Sequence, residues 1–229
     1  WFAMLILAPL VVGLIGLIVE RCLIQWLYGR MIDTLLATWG LSLLFIGIIT
    51  SIFGASTSTV VSPPLGTVTI GEYTSSGYEL FLIFVVIVSL TLVYLTLKFT
   101  SLGLVARATM QNSDMSACLG ISTSKIYMVT FSLGAAVSGL AGGLLAPITG
   151  VLPNIGVIYI AKAFITVISG GSAILAGTTS ASVLLGGVNG IMSYITGPTF
   201  GEVALLFTAI ILLRLMPTGI TGRFFRKSQ

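Results

Sequence analysis

Apolar residues run along this chain in blocks of bilayer length, separated by short polar or charged stretches. A helix needs about 20 apolar residues to cross hydrocarbon, and four blocks meet that need: 2–19, 34–53, 80–97 and 126–146. Beyond Pro153 the pattern changes: 155–169 is short and interrupted by Gly170-Gly171, 173–194 follows, and 203–215 is short again. The pattern predicts an all-α polytopic membrane protein with about seven membrane segments, one of them short and Gly-interrupted, forming a single transmembrane domain over 1–229. Between the blocks lies an outer loop, 54–79, rich in Ser, Thr, Gly and Pro, where Val60-Val61 can pair with Val68-Thr69-Ile70 around Pro63-Pro64 and Gly66. The longest inner connection is 98–125. Its middle, 108–119, has no Gly or Pro and predicts one short helix that Gly120 ends, with Met115, Cys118 and Leu119 on one face and Gln111, Asn112 and Asp114 elsewhere.

Composition agrees with the pattern. With 56% hydrophobic and 7% charged residues and a mean hydropathy of +1.15, there is too little charge to solvate a globular surface. The absence of His and the presence of only two Cys remove a His-based zinc site, a Cys-rich cluster and a Ser-His-Asp triad, so no catalytic residue and no metal ligand is assigned. The net charge of +4 marks topology rather than nucleic acid, because basic residues collect in cytoplasmic loops. Arg21 and Arg30 fall in the first connection, Lys98, Arg107 and Lys125 in the third, and Arg223, Arg226 and Lys227 follow the last span, which Arg214 ends. The loops 54–79, 147–154 and 196–201 carry no Lys or Arg. The N-terminus is therefore placed outside and the C-terminus in the cytoplasm, a parity that seven crossings satisfy. Cys22 and Cys118 fall on the cytoplasmic side, where thiols stay reduced. The chain opens on Trp1 directly into a span, which reads as a piece lacking upstream spans.

Helices in lipid approach closely where residues are small. Gly134, Ser138 and Gly142, with Ala135, Gly139 and Gly143 beside them, and Ser182, Gly186 and Gly190 predict such faces. Trp26, Tyr28, Tyr94 and Tyr127 near inner boundaries, and Tyr78 and Tyr159 near outer ones, are placed as headgroup anchors.

An ionisable side chain within a span is costly and is aimed at a partner or a watery cavity. Lys162 is the main candidate, on the segment broken by Gly170-Gly171; it either serves the pathway or snorkels to the outer headgroups. Glu202 is placed at an outer boundary, and no acid is placed mid-span. Thr38, Trp39, Ser42, Thr166, Ser169, Asn189 and Ser193 could line a path for a small hydrogen-bonding solute, although Ser and Thr also bond their own helix backbone.

These residues carry a resemblance. Arg107-Ala-Thr-Met-Gln111-Asn112-Ser-Asp114-Met115-Ser-Ala117-Cys-Leu119-Gly120-Ile-Ser resembles the coupling-helix region of the branched-chain amino acid permeases of ATP-binding-cassette importers. Lys162-Ala-Phe with Gly170-Gly171-Ser, Gly186-Gly187, and Met216-Pro-Thr-Gly-Ile-Thr-Gly-Arg223 look like the C-terminal half of that family. Glu20-Arg21, Leu27-Tyr-Gly-Arg30 and Thr34-Leu-Leu-Ala-Thr-Trp-Gly-Leu-Ser-Leu43 look most like its urea-type members, a pattern from which the wholly apolar run 44–49 departs. The resemblance implies a multi-pass permease subunit in the bacterial inner (plasma) membrane and no enzyme. Its expected partners are a second related permease, two cytoplasmic ATPases and a periplasmic solute-binding protein, with urea as the solute and branched-chain amino acids, short-chain amides or passive urea conduction as alternatives. ATP and magnesium belong to the ATPase subunits, since the chain has no Gly-x-x-x-x-Gly-Lys-Ser/Thr loop and binds no cofactor. Arg107, Gln111, Asn112, Asp114, Met115, Ala117, Leu119 and Gly120 are the expected coupling residues. Thr38, Trp39, Ser42, Lys162, Thr166, Gly170, Gly171 and Asn189 are the expected path. An amino acid zwitterion would want an acid or carbonyls for its ammonium, and the lack of a mid-span acid favours urea.

Overall fold

The computed structural model describes residues 2–60, 63, 66–70, 73–171, 174–216 and 219. Trp1, Val61, Pro64, Glu72, Arg223, Arg226 and Lys227, on which parts of the sequence reading rest, lie outside the described residues. The chain divides into two compact units, Trp1–Pro153 and Asn154–Gln229.

In the first unit α1 (Phe2–Cys22) leads through a 3-10 turn (Ile24–Leu27) into α2 (Met31–Phe53). A two-stranded hairpin, β1 (Thr67–Ile70) and β2 (Tyr73–Ser76), precedes α3 (Gly77–Phe99), and α4 (Ser101–Gln111), α5 (Ser113–Cys118) and α6 (Thr123–Thr149) follow. The helices outrun the apolar blocks by two or three residues at most ends, because backbone groups at headgroup depth are still best satisfied by another helical turn or a cap. Ser76 caps α3 by accepting from the Tyr78 amide.

The two long helices that pack along each other are α1 and α6. Glycine lets their backbones meet. A Cβ on Gly16 would lie 2.5 Å from the Ala135 Cβ, and one on Gly139 would lie 2.6 Å from the Val12 Cβ and 2.9 Å from the Ala8 carbonyl oxygen. The Ser132 hydroxyl donates to the Gly13 carbonyl at 2.8 Å in the same seam. Of the two predicted small-residue faces on α6, the Ala135/Gly139/Gly143 side forms this seam, while Gly134 and Gly142 meet nothing within 4 Å. The Tyr78 hydroxyl donates to the Leu144 carbonyl at 2.7 Å and ties α3 to α6. Tyr78 is buried rather than set at the headgroups as the sequence suggested, because that carbonyl gives its polar tip a partner inside the protein.

Two further expectations fail in this unit. Val68-Thr69-Ile70 pairs with Tyr73–Ser76, register Ile70↔Tyr73 to Thr67↔Ser76, and not with the Val60-Val61 region. Only Gly71-Glu72 separates these strands in sequence, and a two-residue connection beginning with Gly closes a hairpin at less entropic cost than one spanning two prolines. Ser58 instead bridges Val151 through hydrogen bonds of 2.9 and 3.1 Å, joining the segment after α2 to the segment after α6. The inner connection holds two helices, broken at Asn112, rather than one over 108–119.

The second unit holds α7 (Ile155–Gly170), α8 (Ile174–Thr196) and α9 (Pro198–Leu215). Its core is Leu185, Leu205 and Ala209 with Ile165 against them. Pro198 starts α9, a position where its missing N–H costs nothing, and this carries the helix five residues upstream of the apolar block at 203. Close approaches again fall on glycine: a Cβ on Gly170 would sit 2.7 Å from the Gly177 carbonyl carbon, and one on Gly201 would sit 2.7 Å from the Asn189 Oδ1. The expected Gly186 and Gly190 face meets nothing within 4 Å. Among the described residues six helices (α1, α2, α3, α6, α8 and α9) are long and apolar enough to cross a membrane, and α7 is a shorter apolar helix.

Candidate functional site

The first candidate element is α4–α5. Thr100 caps α4 by accepting from the Gly103 amide, and Gly103, Ala106 and Thr109 are buried at one-turn spacing, so a single stripe of α4 is seated. Asn112 breaks the run because a short amide side chain competes with the helix for backbone donors. It ends α4 with its own N–H on the Ala108 carbonyl and starts α5 with its Oδ1 accepting from the Met115 amide at 3.0 Å. Gly120, at φ +82, closes α5 in a Schellman arrangement: its N–H reaches the Ala117 carbonyl and that of Ile121 reaches the Ser116 carbonyl. Of α5 only Ser116 is buried. Arg107, Gln111, Asn112, Asp114, Met115, Ala117, Leu119 and Gly120 are all exposed, and the Met115, Cys118 and Leu119 face is open rather than laid against the protein. The result is a rigidly capped, outward-facing knob.

A second group joins residues that were read separately from the sequence, Tyr28 and Tyr127 as anchors and Glu20 within the family resemblance. Glu20, at the end of α1, is 1% exposed, and the Tyr28 hydroxyl donates to its Oε1 at 2.6 Å. Tyr28 in turn lies against Tyr127, one turn into α6, with ring centroids 4.8 Å apart. Burial first, and then the hydrogen bond to the Glu20 carboxylate, push the Tyr28 phenol well up from its ordinary value. Tyr28 and Tyr127 are thus a structural pair although Tyr28 keeps 40% exposure, and Trp26 and Tyr94 are exposed as anchors would be.

In the second unit Lys162 on α7 donates to the Glu202 Oε1 on α9 at 2.8 Å, and its ammonium lies 5.9 Å from the Tyr159 ring centre. The two side chains are 32% and 57% exposed. The lysine therefore has an acid partner on another helix, which the sequence did not join to it. Inserting such a charge costs up to about 2.5–3.5 kcal/mol at mid-helix, while a part-exposed pair returns only about 0–1 kcal/mol. Stability alone is a poor account of the pair. Thr166 bonds its own helix at the Lys162 carbonyl, and Thr38 does the same at the Leu35 carbonyl, the backbone role that competes with lining a path. Asn189 accepts from Ser193 at 3.4 Å and faces α9 at Gly201. Ser169, fully buried, has a hydroxyl with no hydrogen-bond partner among the described residues.

The expected path residues therefore divide. Lys162, Thr166, Gly170, Gly171 and Asn189 belong to the second unit, and Thr38, Trp39 and Ser42 to α2 of the first. Glu202 is the fifth residue of α9, because the helix begins before the apolar block at 203. The Gly197-Pro198 pair is the sequence signal that sets this start.

Apolar helices of spanning length, with a capped surface knob and a charged pair joining α7 to α9, define a polytopic helical membrane protein. Residues 1–216 match the family described as branched-chain amino acid transport system / permease component, and the chain belongs to that family. It is 32% identical over 128 residues, 56% of this chain, to the high-affinity branched-chain amino acid transport system permease protein LivH of Salmonella typhimurium. It is 31% identical over 151 residues, 63% of this chain, to the probable branched-chain amino acid transport permease protein LivH of Methanocaldococcus jannaschii. It is 33% identical over 165 residues, 69% of this chain, to the permease protein BraD of Pseudomonas aeruginosa, a high-affinity branched-chain amino acid transport system component. The matched stretches span 42%, 48% and 53% of those three proteins. No solved structure matches. The chain is a multi-pass permease component of the inner (plasma) membrane.

Proposed function

We propose that this chain is one permease subunit of an ATP-binding-cassette importer and forms part of the path for a branched-chain amino acid. The single observation that carries the reading is the family match over residues 1–216, joined by relatives whose names specify branched-chain amino acids. In this reading α4–α5 is the coupling element: its exposed Met115, Leu119 and Asp114 seat against a cytoplasmic ATPase, and the Asn112 and Gly120 caps keep it stiff enough to transmit closure. Two ATPase subunits supply the energy, a second related permease completes the path, and a periplasmic binding protein delivers the solute.

The urea reading rested on the likeness of Glu20-Arg21, 27–30 and 34–43 to urea-type members, with the lack of a mid-span acid as a lesser support. The names of the relatives favour an amino acid instead, and Glu202 beside Lys162 offers an acid for an ammonium group. The deciding experiment is uptake of radiolabelled leucine and of urea into cells carrying the complete operon, with and without this permease. Loss of energy-dependent leucine uptake alone is the expected result; loss of urea uptake alone restores the urea-type subunit, and uptake that persists without ATP points to a passive channel.

A further inference from the structure

We propose that Lys162 and Glu202 together form a split receptor for the zwitterionic head of the transported solute, Lys162 taking the carboxylate and Glu202 the ammonium; this rests on the amino acid reading above. Three observations meet here. The pair joins α7 to α9 by one hydrogen bond of 2.8 Å, so a ligand has a single contact to displace. Both side chains keep exposed surface, so the chain itself closes neither head off. The α7–α9 approach is otherwise slight beside those of α8 with each of them, so the two charges can separate without undoing the core of Leu185, Leu205 and Ala209.

The exchange is balanced in charge. At rest the ammonium and carboxylate satisfy each other; with an α-amino acid between them each meets the opposite charge of the ligand, so no ion is left unpaired in either the resting or the loaded state. A neutral amide has no charge with which to open the pair, and a singly charged molecule would leave one member uncompensated. Selectivity for a zwitterion then follows from the resting ion pair, without a lone acid in the middle of a span. Tyr159 beside Lys162 keeps an aromatic face next to the ammonium and limits how far it can swing.

The test is ATP-driven leucine uptake into proteoliposomes holding the complete importer, with loaded binding protein in excess. Lys162→Met and Glu202→Gln are each expected to lower the maximal rate at least tenfold, with importer recovered at wild-type yield. The exchange Lys162→Glu with Glu202→Lys restores the ion pair but reverses the polarity offered to an L-amino acid, and is expected to stay below a third of the wild-type rate. Should either single variant fail to assemble, Lys162→Arg and Glu202→Asp keep the charges and the fold while moving both heads, and each is expected to slow uptake at least threefold. Rates within twofold of wild type for the single variants, for the exchange, or for Arg and Asp in their place would make the pair a helix staple and overturn the proposal. A wild-type importer that takes up no leucine overturns the amino acid reading, and the receptor with it; wild-type uptake with indifferent variants overturns the receptor alone.

Discussion

The Glu20 carboxylate, almost without exposure, depends on the Tyr28 hydroxyl at 2.6 Å. Tyr28→Phe leaves a buried acceptor short of a donor and is expected to cost about 1–3 kcal/mol, read as a lower midpoint of thermal unfolding in detergent. The pH dependence has a definite sign. The folded phenol titrates above the ordinary value, so the protonated donor is what folding favours. Its contribution is fully present below about pH 10, the ordinary tyrosine value, and is lost only as pH rises through the folded one. The gap between wild type and Tyr28→Phe should therefore stay level from about pH 6 to 9; a gap that closes in that window would contradict the assignment. At this scale the sequence disclosed which residues are unusual but not their partners. Lys162 stood out by its charge alone, whereas its bond to Glu202 joins helices across 40 positions of chain and depends on where α9 begins. Tyr28 and Tyr78 have the amphipathic character of headgroup anchors, and nothing local to either residue announces the acid or the carbonyl that each one meets.

Helices and their order were legible because apolar length and charged boundaries decide them, and the seven blocks correspond to α1, α2, α3, α6, α7, α8 and α9. Which small-residue face packs was not legible, since adjacent faces of α6 carry glycine equally and only the course of α1 selects between them. That selection is testable within one helix. Gly139→Ala drives a Cβ to 2.6 Å from the Val12 Cβ and toward the Ala8 carbonyl, and should cost about 1–3 kcal/mol of thermal stability. Gly142→Ala meets nothing within 4 Å and should be neutral or gain up to about 1 kcal/mol from helix propensity. Equal effects would refute the seam. The break in the inner connection was hidden for a different reason: Asn is tolerated mid-helix, and it becomes a cap only when its side chain takes the Met115 amide. Asn112→Ala removes that acceptor and should cost α5 about 1 kcal/mol, roughly a fivefold loss of amide exchange protection over 113–119. Unchanged protection there would mean that α5 is held by something other than its cap.

Across the whole chain the reading turns on sidedness. Both native thiols, Cys22 at the end of α1 and Cys118 at the end of α5, are exposed, and the distribution of Lys and Arg puts both in the cytoplasm. A membrane-impermeant thiol reagent should therefore spare intact cells and label both in inside-out vesicles. Assembly with the ATPase subunits should then protect Cys118, which lies in the exposed knob, and leave Cys22 reactive. Protection of neither thiol would remove α4–α5 from the coupling role while leaving the topology intact. The C-terminal side adds an independent constraint, because α7 has 16 residues. At the rise of an α-helix that reaches only about 24 Å, against about 30 Å of hydrocarbon. If α7 crosses with local thinning of the bilayer, seven crossings carry residue 228 to the cytoplasm; if it enters and returns, the sides of α8 and α9 exchange. A Ser228→Cys variant separates these outcomes, and labelling only from the cytoplasmic face is expected. Labelling from outside would place Arg214, with Arg223, Arg226 and Lys227, on the translocated side, against the charge rule that orients the rest of the chain.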